Sequence, residues 1–139
     1  MNQSRNPAIA ALVLRVSLGT MFVAHALLKY FVFTLPGTAQ FFESLGLPGV
    51  FGYATFAVEF VGGILLIVGV QARVVALALV PVLLGATWAH AGNGWLFSSP
   101  NGGWEYPAFW TVALVVQALL GDGAYALRPP AAAPEMRTA

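Results

Sequence analysis

The sequence has little charge and no cysteine. Lysine, arginine, aspartate and glutamate together make up 8% of the residues, whereas an ordinary soluble domain carries about 25%. So few charges cannot solvate the surface of a globule or form a phosphate-binding patch, which excludes a soluble enzyme and a nucleic-acid-binding protein. The absence of cysteine excludes disulfides, iron–sulfur clusters and thiolate metal sites. If the protein takes part in redox chemistry, a bound cofactor or a partner subunit must carry the electrons.

Long apolar runs dominate the chain, which is 59% hydrophobic. About 20 apolar residues cross a bilayer as one helix, and the runs predict spans over residues 7–33, 50–70, 74–90 and 107–125. A short amphipathic helix over residues 38–45 is predicted to lie at the membrane interface between the first two spans. The predicted fold is an all-α integral membrane protein, a four-helix transmembrane bundle forming one domain over residues 1–127. A disordered cytoplasmic tail is predicted over residues 128–139.

The cations are unevenly distributed along the chain. If both termini face the cytoplasm, Arg5, Arg73, Arg128 and Arg137 lie at or beyond the inner surface, and the outer connections carry only Lys29. Cytoplasmic loops of membrane proteins carry an excess of lysine and arginine. The pattern therefore predicts a multi-pass protein of the cell membrane with both termini inside.

Three of the predicted spans place polar and small residues on one helical face, at about 100° per residue. The faces comprise Arg15, Gly19, Phe22, His25, Ala26 and Lys29 in the first span; Gly52, Thr55, Glu59, Gly62, Leu66 and Gly69 in the second; and Tyr106, Trp110, Ala113, Gln117 and Gly121 in the fourth. Ionisable groups are costly in lipid, so these faces are expected to point into the bundle.

The charged residues of these faces allow more than one arrangement. Arg15 and Glu59 differ in depth by roughly 9 Å at the rise of an α-helix, and Arg15 either pairs with Glu59 or extends to the cytoplasmic surface. A direct pair would be a structural clasp, or Glu59 would act as a proton relay. Glu105, in the loop over residues 91–106, either belongs to a well-formed loop or lies at the outer mouth, where it pairs with Lys29 or caps a cavity near His90.

His25 and His90 are predicted at the same depth in the outer half of the bundle. Three interpretations remain open: hydrogen-bonded packing, binding of the oxygens of a quinone-type headgroup, or axial ligation of a b-type haem. A metal-ion site is not predicted, because the chain has no third histidine and the nearby carboxylates are Glu59, well below, and Glu105, in the loop.

Taken in order, these residues resemble the DoxX family of small four-span prokaryotic membrane proteins. The resemblance is carried by Arg15 with Leu18-Gly19, His25, Lys29, Gly37-Thr38, Phe41-Phe42, Leu45-Gly46-Leu47-Pro48, Glu59, Gly62-Gly63, Gly69, Arg73, His90 and Asn101-Gly102-Gly103-Trp104-Glu105-Tyr106. Ala26 and Ala72 depart from the pattern, which has glycine and threonine there. The family takes its name from a subunit associated with quinol oxidase and thiosulfate:quinone oxidoreductase complexes, so the resemblance implies a role in quinone-linked redox chemistry.

Three functions are compatible with the sequence. The first is a membrane subunit that works with a redox partner subunit and holds a quinone in an outward-facing pocket. The candidate pocket residues are Arg15, His25, Lys29, Glu59, His90, Glu105, Gln117, Tyr106 and Trp110. In this hypothesis His25 and His90 bond the ring oxygens, Glu59 exchanges the proton and Arg15 sets the charge of Glu59.

The second function is a transport or lipid-binding module, and the third is a membrane scaffold without chemistry. Four short unbroken spans do not make an alternating-access carrier alone, so a transporter would have to form a homo-oligomer. In a scaffold, the polar groups would only specify how the helices pack.

Overall fold

A computed structural model describes residues 5–127, which form α-helices, one short 3₁₀-helix and connecting loops. The helices are α1 (Arg5–Phe31), α2 (Leu35–Ser44), α3 (Val50–Val68), α4 (Ala72–His90) and α5 (Glu105–Leu120), and the 3₁₀-helix Ala91–Asn93 follows α4. α1, α3 and the continuous stretch Ala72–Asn93 are long and apolar enough to cross a membrane, and α5 is a shorter apolar helix. The predicted helical membrane bundle is thereby confirmed. The predicted tail, with Arg128 and Arg137, lies outside the described residues.

The predicted helix ends agree with the structure to within two residues except at the end of α5 and the start of α2, and each exception has a local cause. α5 ends at Leu120 and not near Tyr125, because Gly121 adopts a φ of 80° and ψ of −156°, which turns the chain out of the helix. α2 begins at Leu35 and not at Thr38. The Thr34 side chain accepts a hydrogen bond from Gly37 N at 3.1 Å, and proline in the first turn favours a helix start.

The four long helices form an antiparallel ring in which α1 packs most extensively against α3, and α4 against α5. Glycines allow α1 and α3 to approach closely. A Cβ on Gly63 would lie 2.8 Å from Val23 Cγ2, and one on Gly19 would lie 2.5 Å from the Gly63 carbonyl oxygen. Small residues at helix contacts are what hold spans together in lipid, where no hydrophobic force acts between helices.

The buried core of the ring is narrow, and most apolar side chains face outward. The core cluster comprises Leu18, Phe22, Leu66, Ala72, Ala76, Leu79, Leu83, Trp110, Leu114 and Ala118. On α5, by contrast, Phe109 is 74% exposed and Leu119 is 77% exposed. An apolar exterior around a small core is the arrangement of a protein in contact with a lipid bilayer.

The short helix α2 packs against the bundle. Thr38 and Ala39 are buried, and a Cβ on Gly52 of α3 would lie 3.0 Å from the main-chain nitrogen of Ala39. This contact places α2 across the end of α3 that is opposite Arg5 and Arg73. We call the end with Arg5 and Arg73 the arginine end of the bundle, and the opposite end, where α4 finishes at His90, the histidine end.

Candidate functional site

A cavity of about 1160 Å³ lies in the half of the bundle toward the histidine end. We call it the bundle cavity. Every α-helix contributes to its wall, and its polar or amphipathic lining includes His25, Lys29, Glu59, His90 and Tyr106. The remaining wall is mainly apolar and aromatic. Polar groups are therefore concentrated inside an otherwise apolar membrane bundle, which is the composition of a small-molecule site.

Glu59 is held by Lys29 and not by Arg15. Lys29 Nζ donates to Glu59 Oε2 at 2.6 Å, and the side chains of the pair are 18% and 8% exposed, respectively. Helical side chains lean toward the N-terminus of their own helix. In the antiparallel pair α1 and α3, Lys29 and Glu59 therefore lean toward each other, whereas Arg15 leans away from Glu59.

Arg15 is buried at the arginine end, where its guanidinium bonds to main-chain carbonyl groups. Nε donates to Asp122 O at 2.9 Å, and Nη2 donates to Ala124 O at 2.8 Å. Nη1 donates to Leu66 O at 3.1 Å and to Ile67 O. The last carbonyls of a helix have no partner within it and carry partial negative charge. Arg15 thus closes the C-terminal end of α3 and lies outside the bundle cavity.

The chain after α5 crosses this end of the bundle as a strap, which we define as residues 121–127. Main-chain and side-chain bonds tie it to three helices: Asp122 Oδ1 accepts from Ala72 N at 2.7 Å, Ala124 N donates to Ala8 O at 2.9 Å, and Leu127 N donates to Val68 O at 2.9 Å. Together with the Arg15 bonds, these contacts fix the strap across α1, α3 and α4.

The two histidines line the bundle cavity in the same hydrogen-bonding state. His25 Nδ1 lies 2.8 Å from Met21 O, and His90 Nδ1 lies 2.7 Å from Ala86 O. A carbonyl oxygen only accepts, so Nδ1 carries the hydrogen in both rings. In the neutral imidazole, Nε2 is then an acceptor. The cavity wall therefore includes two histidines whose Nε2 atoms accept a hydrogen bond when the rings are neutral.

Aromatic rings surround His25. Its ring centroid lies 4.8 Å from that of Trp110 and 6.2 Å from that of Tyr106, and the Phe22 ring lies 4.5 Å from Trp110. Trp110 is 5% exposed, and its Nε1 is buried without a hydrogen-bond acceptor among residues 5–127. A buried indole N–H normally has a partner. Trp110 thus lines the cavity with its aromatic ring, while its N–H is buried without a partner among these residues.

The remaining predicted site residues lie elsewhere. Glu105 Oε1 accepts from Phe97 N at 3.0 Å, so it closes its own loop and does not pair with Lys29. Gln117 is completely buried, and its Nε2 donates to Gly121 O at 2.8 Å, which places it beside the strap. The cavity thus brings together His25, Lys29, Glu59, His90, Tyr106 and Trp110, while Arg15, Glu105 and Gln117 lie outside it.

No pattern in the sequence selected the α4 side of the cavity, which is formed in part by Pro81, Gly85 and Trp88. In α4 only His90 is ionisable outside the first turn, so no polar face could be assigned to this helix. The sequence feature that could have indicated this wall is the presence of a proline and a glycine within one apolar span. Proline marks places where a helix can bend, and glycine marks places where no side chain fills the space beside the helix.

Comparisons with known proteins connect part of this site to a family. A family model described as DoxX matches residues 10–92, a range that includes His25, Lys29, Glu59 and His90. A protein of Bacillus subtilis (strain 168) with the printed name "Putative oxidoreductase CatD" is 40% identical over 78 residues, which cover 56% of this chain and 57% of that protein. The chain therefore spans little more than half the length of this relative. No solved structure matches the chain.

Proposed function

The chain belongs to the DoxX family of membrane proteins, and we propose that it is a membrane subunit of a quinone-linked redox complex whose bundle cavity holds the quinone headgroup. The observation that carries this proposal is the set of groups in the cavity wall. Two histidines with acceptor Nε2 atoms and the ion pair of Lys29 with Glu59 line one aromatic cavity.

These groups fit both forms of such a ligand. The hydroxyl groups of a quinol donate hydrogen bonds, which His25 and His90 accept at Nε2. The carbonyl groups of a quinone accept hydrogen bonds, which either histidine donates from Nε2 once that atom has taken a proton. Cavities that bind drug-sized molecules measure about 300–1,000 Å³, so a cavity of about 1160 Å³ has room for the ring and the start of its tail.

The chain also provides groups that hold and move protons. When bound, the quinone supplies an exchange of two electrons and two protons. A histidine that takes a proton at Nε2 keeps its bond from Nδ1 to the helix carbonyl, so its ring does not need to turn. Glu59 lies in the same wall and exchanges this proton with the histidine. Lys29 stabilises the charged form of Glu59, which is the role first expected of Arg15.

The electrons in this proposal pass to a redox partner subunit, because a chain without cysteine cannot ligate an iron–sulfur cluster through thiolates. The name of the Bacillus subtilis relative describes that protein as an oxidoreductase and supports the same class of chemistry here.

We also propose that the protein lies in the cell membrane with its arginine end toward the cytoplasm. Arg5 and Arg73 begin α1 and α4 at the same end of the antiparallel bundle. Lys29, near the other end, is neutralised by Glu59. Free cations therefore concentrate at one end of the described bundle, as the positive-inside rule requires of the cytoplasmic side.

Binding of a tail-less quinol to the full chain tests the proposal. The purified protein is titrated without oxygen with the reduced headgroup, 2,3-dimethoxy-5-methyl-1,4-benzoquinol, and quenching of tryptophan fluorescence is measured. Saturable quenching is expected, and replacing one histidine, in His25→Phe or His90→Phe, should weaken binding about tenfold, the effect of one hydrogen bond of roughly 1.4 kcal/mol. Glu105→Gln, outside the cavity, is the matched control and should bind as the unaltered chain does. Quenching that does not saturate, or that is the same in all variants, would overturn the proposal.

A further inference from the structure

We propose that the ligand enters the bundle cavity from the bilayer through a seam between α3 and α4 and that its apolar tail remains in this seam. The α3–α4 seam is defined by Ala54 and Val58 on α3 and by Gly85 and Trp88 on α4, all of which line the cavity. This inference rests on the proposed function for the identity of the headgroup. It adds the class of ligand, a quinone with a long isoprenoid or alkyl tail, and the route of entry.

The other walls of the cavity are closed by direct contacts. The Lys29–Glu59 ion pair joins α1 to α3, and the ring contacts of Trp110 with Phe22 and His25 join α5 to α1. α4 and α5 pack extensively, and Leu83 of α4 shares the buried core cluster with Trp110. Each of these three boundaries is therefore bridged by contacts between the helices.

α3 and α4 are joined by a short link at the arginine end and touch near the middle of the bundle. A Cβ on Gly62 would lie 3.1 Å from Leu79 Cδ1, so the helices touch at this level. Further along α4, Pro81 lies within the helix and removes a main-chain hydrogen bond, which allows a bend. A Cβ on Gly85 would meet no atom within 4 Å. The two helices therefore touch at Gly62 and Leu79 and leave open space at Gly85.

The seam opens at a depth where lipid tails lie. Measured along α4 from its central residue Pro81, Gly85 lies about 6 Å and Trp88 about 10 Å toward the histidine end at the α-helical rise. The hydrocarbon core extends roughly 15 Å on each side of its centre. Val58 is 43% exposed and Trp88 is 59% exposed, and at this depth such surface contacts hydrocarbon.

Access from water is restricted by the elements at the histidine end. Phe41 and Phe42 of α2 line the cavity there, as do Phe97 and Gly102 of the loop before α5. A ligand with a polar headgroup and a long apolar tail fits both the polar wall of the cavity and the apolar seam. The head reaches the histidines and the ion pair, and the tail stays between Val58 and Trp88, which carry no charge to be desolvated.

The experiment fills the seam and compares two probes on the full chain. Gly85→Trp adds a large side chain where a Cβ meets no neighbour, so the fold should persist. The probes share one reduced headgroup: the tail-less 2,3-dimethoxy-5-methyl-1,4-benzoquinol and its decyl-tailed analogue. The variant should raise the Kd of the decyl-tailed probe about tenfold and change that of the tail-less probe by less than about twofold.

Gly92→Trp is the matched control, because a Cβ on Gly92 also meets nothing within 4 Å and the residue does not line the cavity. It should bind both probes as the unaltered chain does. If the unaltered chain binds both probes and Gly85→Trp leaves both unchanged or weakens them equally, the seam proposal is wrong and the headgroup site stands. If the unaltered chain binds neither probe, the proposed function itself is wrong.

Discussion

Lys29 Nζ lies 2.6 Å from Glu59 Oε2, so the buried carboxylate of the bundle cavity is neutralised by a cation one helix away at the same end of the bundle. Arg15, a second cation of α1, donates hydrogen bonds to four carbonyl oxygens at the opposite end. The two cations therefore have separate roles. Lys29 controls the charge in the cavity, and Arg15 fixes the strap.

Replacing one member of the Lys29–Glu59 ion pair should destabilise the protein more than replacing both. Glu59→Gln leaves the ammonium of Lys29 partly buried without a counter-charge. Lys29→Met likewise leaves the carboxylate of Glu59 buried without a counter-charge. Each single variant should lose about 2 kcal/mol, somewhat less than a fully buried pair because Lys29 keeps some solvent contact. Thermal unfolding of the detergent-solubilised chain measures the loss.

The double variant Lys29→Met with Glu59→Gln is the control for this prediction. It contains no unpaired charge and should recover most of the stability lost by either single variant. Additive losses in the double variant would show that the two side chains do not act as a pair.

Replacing Arg15 should release the strap of residues 121–127. Arg15→Lys keeps the positive charge but cannot reach four carbonyl groups in different directions, since an ammonium is a compact donor on a shorter stem. We expect a loss of about 3 kcal/mol and faster hydrogen exchange at Ala124 and Leu127. Arg5→Lys, at the exposed start of α1, should leave exchange unchanged. Equal protection of the strap in Arg15→Lys and the unaltered chain would refute this role.

The contact between α1 and α3 should not tolerate a methyl group. A Cβ on Gly63 would lie 2.9 Å from Gly19 O, a main-chain atom that cannot turn away, so Gly63→Ala should push the helices apart and lower the unfolding temperature. Gly85→Ala is the matched helical control. It meets open space and gains helix propensity, so it should be neutral or stabilising by up to about 1 kcal/mol. The same response in both variants would contradict the close approach.

The purified protein should show no Soret absorption band. A bis-histidine haem needs its flat macrocycle directly against both Nε2 atoms, and a Cβ on Gly102 would lie 3.7 Å from His90 Nε2. The loop thus occupies space beside this nitrogen, which accommodates a hydrogen-bonded headgroup better than a haem. A Soret band that is lost in His90→Phe would show that the haem interpretation is correct.

The fold was predictable because lipid imposes simple rules on a sequence. Span length and the cost of buried charge were enough to place the helices and to select inward faces that include His25, Glu59 and Trp110. The predicted end of α5 near Tyr125 was wrong, because a positive φ at Gly121 ends the helix before Tyr125. Hydropathy does not report such a conformation.

The pairing of charges was not predictable from depth alone. Arg15 and Lys29 share one face of α1, and a depth estimate along the helix axis leaves either within reach of Glu59. Which cation pairs with Glu59 depends on two features of the fold. Side chains in antiparallel helices lean toward the N-terminus of their own helix, and the strap packs against the arginine end, where it supplies Arg15 with carbonyl groups. The strap begins with a glycine-rich turn directly after α5, and no periodic pattern marks its position.

Mass spectrometry of the lipids and quinones retained by the purified full chain tests the central claim most directly. The account predicts that the unaltered protein retains an isoprenoid quinone, at roughly one molecule per chain, and that the double variant His25→Phe with His90→Phe retains far less. Glu105→Gln, outside the cavity, should retain as much quinone as the unaltered chain. Retention of phospholipid without quinone, or of equal quinone in all three proteins, would contradict the account.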